Sequence, residues 1–359
     1  MRRVLHAVAG CTLLTTMTAC APNVLSSNSS RTDGAPSDFG VPISDAGAVD
    51  ATSIDAASFD ASTFDAGAVD GGAFDSGTND ASLPDAGALD AARIDAGPVS
   101  TTLGLPDRPA PIIIPDIRPG LAPLLVLLHG YTGDAAGVDA YLNITPQART
   151  RGIYVILPEG LRDSSGYQYW NATSACCGGS PDTDDVSYLR NLVHEAIAHF
   201  PIDPTRVYFS GHSNGDFMSL RMACEMSDEI AAIAGVAGAD SPAATPCVPS
   251  APVSILHVHG TNDSVVRYEG NGLYSWPGAE EMVDRWAAID SCTPGRVSSG
   301  PPLDLMPGHA GAETDRFHYE GCAAGFDVEL YRINGAEHAD AFSSTAWGGI
   351  LDWLTAHHR

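Results

Sequence analysis

Six short, nearly continuous apolar runs constrain this chain more than any other feature. They lie at 124–128, 153–157, 207–210, 233–236, 253–258 and 328–333. Runs of that length without polar alternation read as strands buried on both faces, the pattern of a parallel sheet covered by helices. Helical stretches separate them. In one, 184–200, Val186, Leu189, Val193, Ile197 and Phe200 fall on one face, and Asp184 stands where it can cap the first turn. Alternating strands and helices predict an α/β, doubly wound, mostly parallel sheet, with chemistry collected where strands end and loops turn into helices.

All six runs lie within 105–359, a stretch long enough to bury one large core as a single domain. The preceding segment, 20–104, is a different material. From Asp45 to Asp95 an aspartate stands at every fifth position, usually followed by Ala. Stacking such a repeat into a β-helix would align uncompensated carboxylates about 5 Å apart, and Pro84, Pro98 and many glycines interrupt it. A self-repelling stalk with a coil span of about 50 Å is the better expectation. The aspartate spacing matches no compact calcium loop.

The full chain of 359 residues carries a formal charge of −26, with −11 in 21–100 and −17 in 101–359, and its 18 basic residues are all Arg. No cationic surface for nucleic acid is expected. Residues 1–19 have a signal-peptide plan: Arg2 and Arg3, an apolar run from Val4 to Met17, then small residues. Met17-Thr18-Ala19-Cys20 resembles the bacterial lipobox, which implies lipidation at Cys20. The expectation is an exported protein, secreted or held at the outer membrane or cell surface, touching membrane only through that anchor and monomeric.

With Cys11 in the signal and Cys20 at the lipobox, Cys176, Cys177, Cys224, Cys247, Cys292 and Cys322 remain. In an exported domain they are disulfide candidates whose pairing stays open. Spacing favours Cys224 with Cys247 and Cys292 with Cys322, each pair flanking one loop, and leaves Cys176 to Cys177. No C-x-x-C pair or histidine spacing supports a metal site, so none is expected.

The strand at 207–210 runs into Gly211-His212-Ser213-Asn214-Gly215 and then into a helical stretch. This is G-x-S-x-G in the strand, turn and helix context of a nucleophile elbow, with Ser213 as candidate nucleophile. A serine hydroxyl needs a base, and the base an orienting acid, in the chain order Ser, acid, His. Asp263, just past the strand at 253–258, fits the acid; Asp284 and Asp290 are rivals inside a helical stretch. His338, just past the strand at 328–333, fits the base, ahead of His309 in a Gly and Pro-rich loop and of the terminal His357 and His358. Two amides should receive a developing oxyanion: Asn214 after the nucleophile, and Tyr131 in the loop after the first core strand.

Several motifs in order resemble one group: Leu128-His129-Gly130, Tyr169-Trp170-Asn171, Cys176-Cys177-Gly178, Asp184-Asp185-Val186, Ile202-Asp203-Pro204, the elbow, His259-Gly260-Thr261-Asn262-Asp263 and Gly335-Ala336-Glu337-His338. They are similar to the secreted α/β-hydrolases of the feruloyl esterase and polyhydroxybutyrate depolymerase family, with its acetylxylan esterase relatives, over about 105–358. The resemblance implies an α/β-hydrolase fold and a serine carboxyl-ester hydrolase without a cofactor. Plant-wall feruloyl or acetyl esters are the first substrate expectation and a polyhydroxybutyrate polymer the alternative. Tyr131, Thr132, Trp170, His212, Tyr274 and Trp276 are the candidate substrate contacts. Two departures stand out. Asp216 occupies a position where the family usually has Gly, with solvent as the simplest outlet for its charge, and Ala339-Asp340 follows His338 where a Trp is common. A non-catalytic surface-binding module on the same fold is the rival reading from another class.

Overall fold

A computed structural model describes residues 101–359 except 118–119, 178–181, 243–246 and 273–275. The signal segment, Cys20, the aspartate repeat and Tyr274 lie outside the described residues. In chain order the elements are β1 (Thr102–Leu105), β2 (Arg108–Ile113), β3 (Ala122–Leu128), α1 (Ala135–Leu142), α2 (Ile144–Thr150), β4 (Tyr154–Ile156), β5 (Leu161–Arg162) and β6 (Gln168–Tyr169). There follow α3 (Asp185–His199), β7 (Ile202–His212), α4 (Asn214–Glu225), β8 (Ala232–Val236), β9 (Ser254–Gly260), α5 (Ala279–Ile289), β10 (Arg296–Ser298), β11 (Thr314–Tyr319), β12 (Val328–Ile333) and α6 (Ala346–Ala356).

Ten strands form one sheet in the order β1-β2-β4-β3-β7-β8-β9-β12-β11-β10. The six apolar runs are its centre, and every pairing from β4 to β12 is parallel. The edges are antiparallel: β1 and β2 on one side, β11 and β10 on the other. β2 has two prolines, and β11 reads Thr-Asp-Arg-Phe-His-Tyr.

Alternation along β3 shows why the sheet is covered twice. Leu124, Val126 and Leu128 join a core layer with α3, α4 and α5, contributed by Leu189, Phe217 and Trp286 among others. Leu125 and Leu127 join the opposite layer with α1, α2 and α6, through Val138, Ile144 and Trp347. Each fully buried leucine contributes about 1.5–3 kcal/mol relative to an exposed one, so this central strand anchors both layers. Helix α3 begins at the expected cap, where Asp184 Oδ1 accepts from Ser187 N at 3.0 Å.

One boundary moves. β1 starts at Thr102, inside the 20–104 segment expected to be stalk, because its backbone pairs with β2 and Leu103 is buried. Gly104 N also donates to Glu195 of α3 at 2.8 Å. Three disulfides join Cys176 to Cys177, Cys224 to Cys247 and Cys292 to Cys322.

Candidate active site

Strand β7 delivers Ser213 to the C-terminal edge of the sheet, and α4 starts at the next residue. Ser213 has φ 55°, a conformation that costs a non-glycine residue about 1–3 kcal/mol. Its backbone is held at both ends: Ser213 N donates to Val236 O at 2.8 Å, and Ser213 O accepts from Asp216 N and Phe217 N at 2.8 and 3.0 Å. Two glycines make the turn possible. A Cβ on Gly211 would lie 2.4 Å from Gly215 C, and one on Gly215 would lie 2.2 Å from Leu128 O.

The loops after β9 and β12 interlock beside this turn. Thr261 N donates to Ile333 O at 2.9 Å, Asn262 N to Ala336 O at 3.0 Å, and Gly335 N to Thr261 Oγ1 at 2.9 Å. A Cβ on Gly260 would meet Ala336 O at 2.3 Å, so only glycine allows the loops this close. The result places His338 Nδ1 at 2.7 Å from Asp263 Oδ2. Asp263 is buried, and its Oδ1 accepts from Val265 N and Val266 N at 2.9 and 2.8 Å. Burial pushes its pKa up, but hydrogen bonds from His259 and His338 overcome that and hold the carboxyl well below the usual carboxylate range. With Nδ1 engaged, Nε2 is the nitrogen His338 has left to present.

His212 ties this pair to the serine. Its Nε2 donates to the backbone oxygen of His338 at 2.8 Å, and the two rings lie 4.8 Å apart. Burial lowers the His212 pKa to about 4, against the opposing pull of that hydrogen bond, so at neutral pH the ring is uncharged beside His338. His212 therefore supports the loop that carries His338 as well as lining the space in front of it.

Asn214 N is the first amide of α4, where no intrahelical acceptor exists. Its side chain is spent elsewhere: Oδ1 accepts from Trp170 N at 2.6 Å, and Nδ2 donates to Trp170 O at 2.9 Å. Across the turn, Gly130 comes so near that a Cβ there would lie 3.3 Å from Ser213 Cβ. Thr132 N donates to Gln168 O at 2.9 Å and Gly133 N to Gly130 O at 3.1 Å, so these two amides of the loop are already engaged, and the expected Tyr131 donor is not one of them. His129 sets the loop: its buried ring accepts from Gly160 N at Nε2, 2.9 Å, and so donates from Nδ1 to Gly130 O, 2.8 Å. Burial also lowers its pKa, keeping this neutral tautomer. Its part in fixing the loop was not visible in the sequence, because a histidine after a strand has no signal for its ring partners.

A cavity of about 190 Å³ opens beside the turn, lined by Tyr131, Thr132, Tyr141, His212 and Ala339 among others. Tyr141 of α1 was not anticipated. Its ring meets the edge of His212 at 5.0 Å and its hydroxyl donates to Asp340 O at 3.1 Å. Trp170 lines no cleft. It is fully buried, and its Nε1 donates to His129 O at 3.0 Å, so its ring packs under the site and is closed to a ligand. Trp276 is partly buried and packs edge-on against Phe217 at 5.8 Å. Asp216 also departs from expectation: it is fully buried, with Gly238 N donating to its Oδ2 at 2.9 Å, and does not face solvent. The rivals sit elsewhere. Asp284 pairs with Arg296 at 2.8 Å, Asp290 caps α5, and His309 pairs with Asp340 at 2.9 Å.

No family model matches the chain. Over 237 residues it is 32% identical to feruloyl esterase B of Piromyces equi, an alignment covering 63% of this chain and 41% of that protein. It is 24% identical over 239 residues to poly(3-hydroxyalkanoate) depolymerase C of Paucimonas lemoignei, covering 66% of this chain and 56% of that one. The chain thus spans about half the length of these curated relatives. Among solved structures, acetyl xylan esterase from Aspergillus awamori superposes with a TM-score of 0.50 at 14% identity, over 70% of this chain and 94% of that one. The fold is that of an α/β-hydrolase. The sequence relatives are named as esterases and as a depolymerase.

Proposed function

We propose that the chain is an exported serine carboxyl-ester hydrolase acting on feruloyl or acetyl esters of plant-wall xylan. The observation that carries this reading is the 2.7 Å bond between His338 Nδ1 and Asp263, with His338 docked through His212 onto the residue next to Ser213. Ser213 Oγ attacks the ester carbonyl carbon while His338 Nε2 takes its proton. The carbonyl oxygen, now an oxyanion, is received by the amides of Asn214 and Tyr131, and the positive end of α4 adds to that field. His338 then gives its proton to the leaving alcohol. Water, deprotonated by the same nitrogen, attacks the acyl-serine and frees the acid. Asp263 stays ionised throughout and stabilises the imidazolium.

Similarity to feruloyl esterase B supports the xylan-ester reading, and similarity to the depolymerase supports polyhydroxybutyrate as the second. Three disulfides favour an oxidising compartment, in keeping with export. In our reading the domain hangs from a lipid at Cys20 by a stalk that ends before Thr102, where β1 begins; intact mass of the mature chain would test the lipid.

Release of product from methyl ferulate, acetylated xylan, 4-nitrophenyl acetate and 3-hydroxybutyrate oligomers, compared between the wild type and Ser213→Ala, tests the enzyme. Turnover should fall by about a thousandfold or more in Ser213→Ala with the fold intact. Silence of the folded wild type across the panel would favour the binding-module reading.

A further inference from the structure

Behind Asp263 lies a second buried polar chain that the ester-hydrolysis steps do not use. His259 Nε2 is 3.2 Å from Asp263 Oδ2 and 2.7 Å from Val266 O. His259 Nδ1 is 2.9 Å from His257 Nε2, and His257 Nδ1 is 3.3 Å from Asp216 Oδ2. The two histidines are two residues apart on β9 and so share a face, while Asp216 comes from the first turn of α4. All four side chains are buried.

The place for Asp216 is built by its neighbours. A Cβ on Gly235 would lie 1.6 Å from Asp216 Oδ1, and one on Gly238 would lie 2.6 Å from Asp216 Cβ. Any larger residue at either position would collide with this carboxyl.

The proton positions follow from the acceptors. Val266 O is a carbonyl, so His259 Nε2 must carry hydrogen, and the same N–H faces Asp263. His259 Nδ1 is then a lone pair, and the hydrogen in the 2.9 Å contact belongs to His257 Nε2. His257 Nδ1 would face Asp216 as a second lone pair unless a proton lies between them. One proton held at the Asp216 end therefore polarises the whole row toward Asp263.

We infer that Asp216 is a positioning residue for the Asp263 and His338 pair, acting through His257 and His259 to hold a donor on Asp263. The inference rests on the proposed triad. Without that proton, His257 is free to reverse its tautomer, and His259 would then turn a lone pair toward Asp263. Asp263 would lose one of the hydrogen bonds that keep it ionised and oriented, and the cost would fall on the chemical step.

Two measurements on the full-length chain test this. In the wild type with 15N-labelled imidazoles, each assigned by single substitution, His259 is expected as the neutral Nε2–H tautomer. An Nδ1–H tautomer or an imidazolium at neutral pH would overturn the inference, whether or not the protein turns over an ester. In kinetics on 4-nitrophenyl acetate, Asp216→Ala should lower kcat by about tenfold with KM within about twofold, whereas Asp216→Asn, whose amide N–H keeps a donor on His257 Nδ1, should retain most of the wild-type kcat. Asp216→Ala/His257→Gln should recover most of the Asp216→Ala loss, because the Gln amide is a permanent donor to His259 Nδ1. An unchanged kcat in Asp216→Ala, a matching rise in KM, an Asp216→Asn as slow as Asp216→Ala, or no recovery in the double variant would overturn it. A wild type without turnover would instead count against the triad reading itself.

Discussion

Asp263 shows how one carboxyl can hold a site together. It accepts from two backbone amides and two imidazoles, and these bonds outweigh a burial that would otherwise raise its pKa. The depressed pKa has a definite sign for stability. Its contribution is fully present above the ordinary carboxylate pKa of about 4 and is lost as the pH falls below that value. Acid titration followed by circular dichroism should therefore show Asp263→Asn with a flatter loss of stability below about pH 4 than the wild type. On the proposed mechanism its activity should also drop sharply, because an amide cannot stabilise an imidazolium at His338. The motif His259-Gly260-Thr261-Asn262-Asp263 suggested the acid, but nothing in it announced that His259 would be a second donor to the same oxygen.

At the scale of elements, the site is made by close backbone approach. Gly215 sits against the end of β3, where a Cβ would be 2.2 Å from Leu128 O. Gly215→Ala must push α4 away from the sheet. Loss of at least about 2 kcal/mol is expected in urea unfolding, as for other overpacked interiors, together with loss of ester turnover. Asp290, at the C-terminal end of α5, makes the opposite kind of contribution. Its Oδ1 accepts from Val253 N at 3.3 Å at the start of β9, and burial raises its pKa to about 7. An acid with a raised folded pKa binds its proton more tightly when folded, so its stabilising contribution is lost as pH rises from about 4 to about 7. Asp290→Asn resembles the protonated form and should gain about 2 kcal/mol over the wild type at pH 8 while differing little at pH 4. Unfolding curves at the two pH values would check the difference.

For the whole molecule, the cross-links and the start of the sheet decide stability. Cys224–Cys247 and Cys292–Cys322 close loops of sequence separation 23 and 30, whereas Cys176–Cys177 closes almost nothing. Each of the longer two should stabilise by about 3 kcal/mol through the unfolded chain, so full reduction should lower Tm by roughly 10 °C or more in calorimetry. Chains begun at residue 101 and at residue 107 should also differ. The shorter one lacks β1, with the buried Leu103 and the Gly104 bond to Glu195, and should melt earlier.

The sequence alone determined the α/β alternation, because each central strand is a nearly continuous apolar run and that pattern has no other stable home than a sheet covered twice. It also determined the turn around Ser213, since only glycine tolerates those approaches, and the chain order that singles out Asp263 and His338. Tertiary structure decided what depends on neighbours distant in sequence. The edge strands join the sheet in succession, β11 on β12 and β10 on β11 at one side, β2 on β4 and β1 on β2 at the other. Trp170 reads equally as a cleft aromatic or a core residue in the sequence, and it is buried, with Asn214, 44 residues later, clamping its backbone. Asp216 reads as a surface acid in a helix's first turn and is interior because β8 and β9 place Gly235, Gly238 and His257 around it. Local patterns specify elements through periodicity and sterics, whereas the partner of a buried polar group is set by the sheet order, which no local pattern carries.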